Sequence, residues 1–199
     1  AAIRDNTKMS EVTVISCALR DLFKAGNYEM FLASELPSRW QQIVPRGLLH
    51  GKRGGLERNL YFHAGTVLVR FYTTAGQPSK ALMYLRDLAT CEALISAPHS
   101  TNQARLPMLR HLVTDVVLAF LTLQQDGDAV AMLVGLPPPC SRGYLSLLHR
   151  LFLRGAIEDA EAVWARLRTA LVMPGEELHR GEAENPSKIR EALEMLVHA

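Results

Sequence analysis

Ser146 and His149 stand three residues apart, a spacing that on a helix brings a hydroxyl beside an imidazole. That is the smallest piece of a nucleophile–base pair, and it would need an acid to orient the imidazole and N–H donors for an oxyanion. Neither is suggested nearby, so the pair reads as a chance of helical spacing, with a hydrolase as the one catalytic alternative. The seven histidines (50, 63, 99, 111, 149, 179 and 198) include no His-Glu-x-x-His, and Cys17, Cys91 and Cys140 no paired-cysteine spacing. Cys140 and His149 make one pair of ligand types with no second pair, so no metal is expected. Cys17 falls in an apolar stripe, where a small buried thiol is the ordinary outcome.

Phosphate chemistry has one candidate, residues 47–55, read Gly-Leu-Leu-His-Gly-Lys-Arg-Gly-Gly. Gly47 precedes Gly51 by four residues rather than five, and Arg53 replaces the Ser or Thr that would follow Lys52 in a nucleotide-binding loop. No strand signal precedes it. Glu158, Asp159 and Glu161 fall where a helix begins and suit the positive end of its dipole better than acid–base work. No catalytic residue and no cofactor are therefore expected.

Charge is local rather than global. The chain of 199 residues has a formal charge of +2. Residues 39–58 carry Arg39, Arg46, Lys52, Arg53 and Arg58 against Glu57 alone, while Glu176, Glu177, Glu182 and Glu184 outnumber Arg180. Broad attraction to nucleic acid is not implied, but a basic loop could touch phosphate. With 48% apolar and 21% charged residues, the chain has the make-up of a globular protein. No apolar run approaches the roughly 20 residues that span a bilayer. Three widely spaced cysteines fit a reducing, intracellular compartment. Ala1 in place of Met reads as a domain cut from a longer protein.

The element pattern is helical. Val12, Ile15, Leu19, Leu22 and Phe23 recur at spacings of three and four from Glu11 to Lys24, with Ser10 placed to cap the start. Ala25-Gly26-Asn27 breaks the stripe; Tyr28, Phe31, Leu32 and Leu36 form a second, which Pro37 should end. The phrase returns at 59–74, where Ala75-Gly76-Gln77 turns into a helix opened by Pro78. It returns again at 106–123, where residues 124–127 turn toward Ala129 and Leu133, and at 144–153, where Arg154-Gly155 turns toward Ile157 and Leu167. A last helix should begin at Asn185-Pro186-Ser187. The β-branched stretch 65–72 is the best strand candidate, yet it lacks a partner hairpin. The pattern predicts an all-α single domain over 1–199: about nine helices in antiparallel hairpins, stacked as an irregular α-solenoid-like repeat. Residues 44–59 and 96–105 read as loop insertions.

Residues 144–167, YLSLLHRLFLRGAIEDAEAVWARL, resemble a tetratricopeptide or pentatricopeptide repeat, with Gly155 at the turn, small Ala160 in the second helix and bulky Trp164 four residues on. Gly76, Ala81 and Leu85 repeat this. Ala129 and Leu133 do so with Gln124 in the glycine position, and Gly26 and Phe31 with Phe in place of the small residue. The spacing departs from the regular period of about 34 residues. The resemblance implies stacked helical hairpins that bind a protein segment, a peptide or, in the pentatricopeptide case, RNA. Base reading would need polar residues early in each first helix; the matching positions are Cys17, Val67 and Ser146, of which only Ser146 suits the task.

The sequence therefore points to a non-catalytic interaction module that binds a protein partner or self-associates. The contact candidates are the basic loop (Arg46, His50, Lys52, Arg53 and Arg58) and Trp40, which either seals the first hairpin or anchors a partner. An RNA-binding domain that holds phosphates through residues 46–58, with bases stacked on Tyr61, Phe62, Phe71 and Tyr72, is the second reading.

Overall fold

A computed structural model describes residues 11–42, 54–95 and 105–172. Among them every regular element is an α-helix: α1 Glu11–Lys24, α2 Tyr28–Ala33, α3 Leu36–Gln42, α4 Gly54–Thr74, α5 Pro78–Ile95, α6 Leu106–Thr122, α7 Asp126–Ala131, α8 Ser141–Leu153 and α9 Ile157–Val172. They fall into two compact units, one holding α1 to α4 and nearly all of α5, the other α6 to α9 with residues 76–78. None of these helices is long and apolar enough to cross a membrane.

The repeated phrase is a backbone motif. Residues 25–27, 75–77, 123–125 and 154–156 each join two helices, and the middle one is always left-handed: Gly26 at φ +64°, Gly76 at +67°, Gln124 at +60° and Gly155 at +70°. In three of them the same two bonds close the preceding helix. The middle N–H reaches back three residues (Gly26 to Phe23, Gln124 to Leu121, Gly155 to Phe152), and the next N–H reaches back five (Asn27 to Leu22, Gln125 to Phe120, Ala156 to Leu151). These bonds satisfy carbonyls that a helix end leaves open. Gln124 holds this conformation without glycine's freedom, at a cost of about 1 kcal/mol.

Five residues after each left-handed residue comes one that is wholly buried: Phe31, Ala81, Ala129 and Ala160. Alanine lets the second helix lie close on the first, and the pairs α6–α7 and α8–α9 pack in this way. In the first hairpin Phe31 takes the place and stacks on Phe71 of α4 at 3.8 Å between ring centroids.

Several boundaries differ from the sequence reading. Pro37 does not end a helix; it sits in the first turn of α3, where no helical N–H is needed. The stop comes earlier: Ser34 takes an extended conformation and turns its hydroxyl and its N–H onto the Phe31 carbonyl. α4 begins at Gly54, inside the stretch 44–59 read as a loop. Asp126 and Gly127 belong to the first turn of α7 rather than to the connection before it. Residues 65–72 are helical throughout, and Thr66 and Thr73 donate their hydroxyls to the carbonyls of Phe62 and Val69 four residues back. Ser10, most of 96–105 and the last expected helix lie outside the described residues.

In the first unit α1 packs along α4, with the Ser16 hydroxyl donating to the Leu60 carbonyl at 3.0 Å. Gly65 lets α3, α4 and α5 meet closely. A Cβ there would lie 2.5 Å from Leu88 Cδ2 and 2.7 Å from Trp40 Cζ2. Gly65→Ala is therefore expected to destabilise the chain by about 1–3 kcal/mol through overpacking, despite alanine's better helix propensity. Urea denaturation followed by circular dichroism measures this, and a more stable variant would refute the close packing.

Candidate functional site

Arg46, His50, Lys52 and Arg53 lie outside the described residues, and Arg58 is placed only as a member of α4. Trp40 is described fully, and it takes the sealing role of the two the sequence left open. It is 1% exposed, stacks on Tyr61 at 4.4 Å, meets Tyr84 edge-on at 5.8 Å and donates its indole N–H to the Tyr61 carbonyl at 3.2 Å. No face of the ring is left for a partner.

The aromatic residues near it behave alike. Tyr61, Phe62, Phe71 and Tyr72 are all buried. Burial pushes the phenols of Tyr61, Tyr72 and Tyr84 above their ordinary range. Rings packed this way hold helices together and offer no platform for bases. Of the three positions matched to base readers, Val67 is buried and Cys17 and Ser146 are half-buried. Ser146 and His149 share α8, but His149 is exposed and no hydrogen bond joins them.

The second unit holds two polar constructions that sequence spacing does not reveal. At the turns, Asp126 is buried to 4% exposure, with Arg154 Nη1 2.7 Å and Arg150 Nε 3.6 Å from its Oδ2. The contact is one of charge: neither carboxylate oxygen accepts a hydrogen bond, and Arg150 Nε donates none. This ion pair fastens the start of α7 to the end of α8, so the turns 123–125 and 154–156 lie at one end of the unit.

At the other end, α6 grips the segment that leads into α8. Arg110 Nε donates to the Pro138 carbonyl at 3.3 Å, and the Thr114 hydroxyl accepts the Cys140 N–H at 2.8 Å while donating to the Arg110 carbonyl at 2.9 Å. Cys140 Sγ lies 3.5 Å from His111 Nδ1. From α9, Arg166 Nη2 donates to the Leu136 carbonyl at 3.2 Å. Tyr144 is buried, with its hydroxyl beside the Arg166 guanidinium. Burial raises its pKa, and the Arg166 and Arg110 charges oppose that rise.

A different surface carries the features of a contact site. Around the α8–α9 turn Phe152, Leu153 and Ile157 are exposed, Leu153 to 69%, and Trp164 is 39% exposed on α9. Ile157 and Trp164 are seven residues apart and share one face of that helix. Leu123, also exposed, belongs to the neighbouring turn that the Asp126 ion pair holds at the same end. Arg154, Glu158 and Glu161 are exposed among these apolar residues. Leu85 and Leu133, nine residues after their left-handed turn residues, are buried, whereas Trp164 in the same place is exposed, as is Glu35 in the first hairpin. No group of three or more potential metal ligands occurs among the described residues.

Comparison with protein-family models, with characterised proteins and with solved structures gave no match.

Proposed function

We propose that this chain is a non-catalytic helical-hairpin interaction module, of the tetratricopeptide-like kind, that binds a protein partner or a second copy of itself. The observation that carries the reading is the exposed group Phe152, Leu153, Ile157 and Trp164 at the α8–α9 hairpin. Large apolar side chains gathered on one rigid hairpin and bordered by charge are the usual make-up of an interface core with a polar rim. A tryptophan at such a place is the residue type that most often dominates binding energy. The helices supply the rigidity, through left-handed turns and the Asp126 ion pair, that keeps the group presented without cost of ordering on binding.

The double variant Leu153→Lys/Ile157→Glu tests this reading. Lysine at the end of α8 and glutamate at the start of α9 both suit the helix dipoles, so the fold is expected to survive. Wild-type chain should self-associate in sedimentation velocity or retain a protein partner in affinity capture, and the variant should lose that association by at least about tenfold. Equal behaviour of the two chains, with circular dichroism unchanged, would contradict it. Binding that instead falls steeply with salt and persists in the variant would favour the RNA reading through Lys52, Arg53 and Arg58.

A further inference from the structure

Ile157, Glu161, Trp164 and Arg168 follow one another on α9 at steps of four, three and four residues. On a helix those steps keep them within about 60° of arc and along about 16 Å of its length. All four are exposed. The spacing is that of a helix–helix seam, in which two apolar residues alternate with one acid and one base. Neither charge is taken up within the chain. Among the described residues the Glu161 and Arg168 side chains make no ion pair or hydrogen bond, and about 10 Å of helix separates them. Arg166, the other arginine of this stretch, donates to the Leu136 carbonyl instead.

A partner that covers Ile157 and Trp164 also covers Glu161, which lies between them. Taking a carboxylate out of water without a counter-charge is costly, so the occupant has to bring a cation to that point. One turn past Trp164 it has to bring an anion for Arg168. The chain itself meets both demands. The midpoint between Glu161 and Arg168 falls between Trp164 and Ala165. A second α9 turned end for end therefore sets Arg168 of one copy opposite Glu161 of the other, twice, with the two Trp164 rings beside each other. Two α9 helices running the same way would set acid against acid and base against base. A face that is its own complement under a two-fold rotation is the requirement for a closed homodimer.

We propose that the occupant of the α8–α9 face is a second copy of this chain, docked through antiparallel α9 helices. Trp164 lies at the two-fold axis, with two Glu161–Arg168 pairs across it and Ile157 toward each end of the seam. Phe152 and Leu153 continue the apolar surface beyond Ile157. The apolar residues supply contact area, and the charges select the orientation and the partner. This inference rests on the reading of the face as an interface and commits it to self-association.

Sedimentation velocity of the full chain tests it, with circular dichroism as the check on folding. Glu161→Arg and Arg168→Glu each turn two attractions into two repulsions, and each should weaken dimerisation by about tenfold or more. The exchange Glu161→Arg/Arg168→Glu should restore it. An equimolar mixture of the two single variants should also dimerise, since each then meets its complement. Both positions are exposed and both residue types are good helix formers, so the fold is expected to hold. If a single variant does not fold, the exchange variant decides alone: a dimer supports the pairing and a monomer overturns it. A wild-type chain that stays monomeric at its highest soluble concentration would overturn the proposal, while capture of another protein that Leu153→Lys/Ile157→Glu abolishes would leave the interface reading standing. A dimer that both charge reversals leave unchanged, but that the Leu153→Lys/Ile157→Glu variant loses, would likewise overturn the antiparallel pairing alone. A dimer indifferent to all of these changes would end both readings.

Discussion

Trp40→Ala is expected to destabilise the chain by about 3–5 kcal/mol, the range for removing a large aromatic side chain from a packed core. The ring stacks on Tyr61, meets Tyr84 and donates to the Tyr61 carbonyl, so its loss opens a cavity among α3, α4 and α5 and removes that hydrogen bond. Gln41, the next residue, ties α3 to Asp87 of α5 at 3.1 Å, but one part-buried hydrogen bond does not fill the cavity. Trp40→Phe keeps a ring in the gap but not the N–H, and should cost about 1–2 kcal/mol. Urea denaturation of both variants measures these values. A Trp40→Ala chain within 1 kcal/mol of wild type would mean that the indole is not the seal between these helices. Because the expected defect is one of stability, partner binding by a folded fraction should be retained.

The second large effect concerns Asp126. Removing both of its partners, in Arg150→Ala/Arg154→Ala, should cost about 3 kcal/mol, because a carboxylate at 4% exposure is left without a counter-charge. The attraction itself is screened on the arginine side, where the side chains are 35% and 43% exposed. The penalty thus resides in the stranded carboxylate, and adding Asp126→Asn to the double variant should recover much of the stability. Denaturation at low salt distinguishes the two cases. A triple variant no more stable than the double would show that lost packing, rather than buried charge, sets the cost.

The helical stripes and turns were legible because both rest on local physics. Apolar spacing marks a helix face, and Gly26, Gly76 and Gly155 mark left-handed turns that few other residues adopt. The third turn was legible only in part: Gly127 reads as its turn glycine but lies inside α7, and the left-handed residue is Gln124, which stands in the glycine position of the repeat. The α2–α3 break was not legible, since Pro37 reads equally as the end of one helix or the first turn of the next. Only the cap made by Ser34 decides between them.

The candidate sites were less legible still. Trp40 beside basic residues looks like a contact residue until its neighbours Tyr61 and Tyr84 arrive from elements 21 and 44 residues away in sequence. Asp126 and Arg154, and Cys140 and His111, meet only through tertiary packing, and no spacing rule joins them. Trp164 gave the opposite error. It takes the bulky position of the repeat phrase, which Leu85 and Leu133 bury in their hairpins, and it is exposed.

The proposed role turns on that exposed residue, and the two tryptophans allow it to be measured. Trp40 is 1% and Trp164 39% exposed, so in the chain alone acrylamide should quench Trp164 strongly and Trp40 hardly at all, with Trp40→Phe assigning the signals. In the assembled state, whether a dimer or a complex with a captured protein, Trp164 should become protected while Trp40 is unchanged. Trp164 that is quenched equally before and after assembly would place the interface elsewhere and contradict the account.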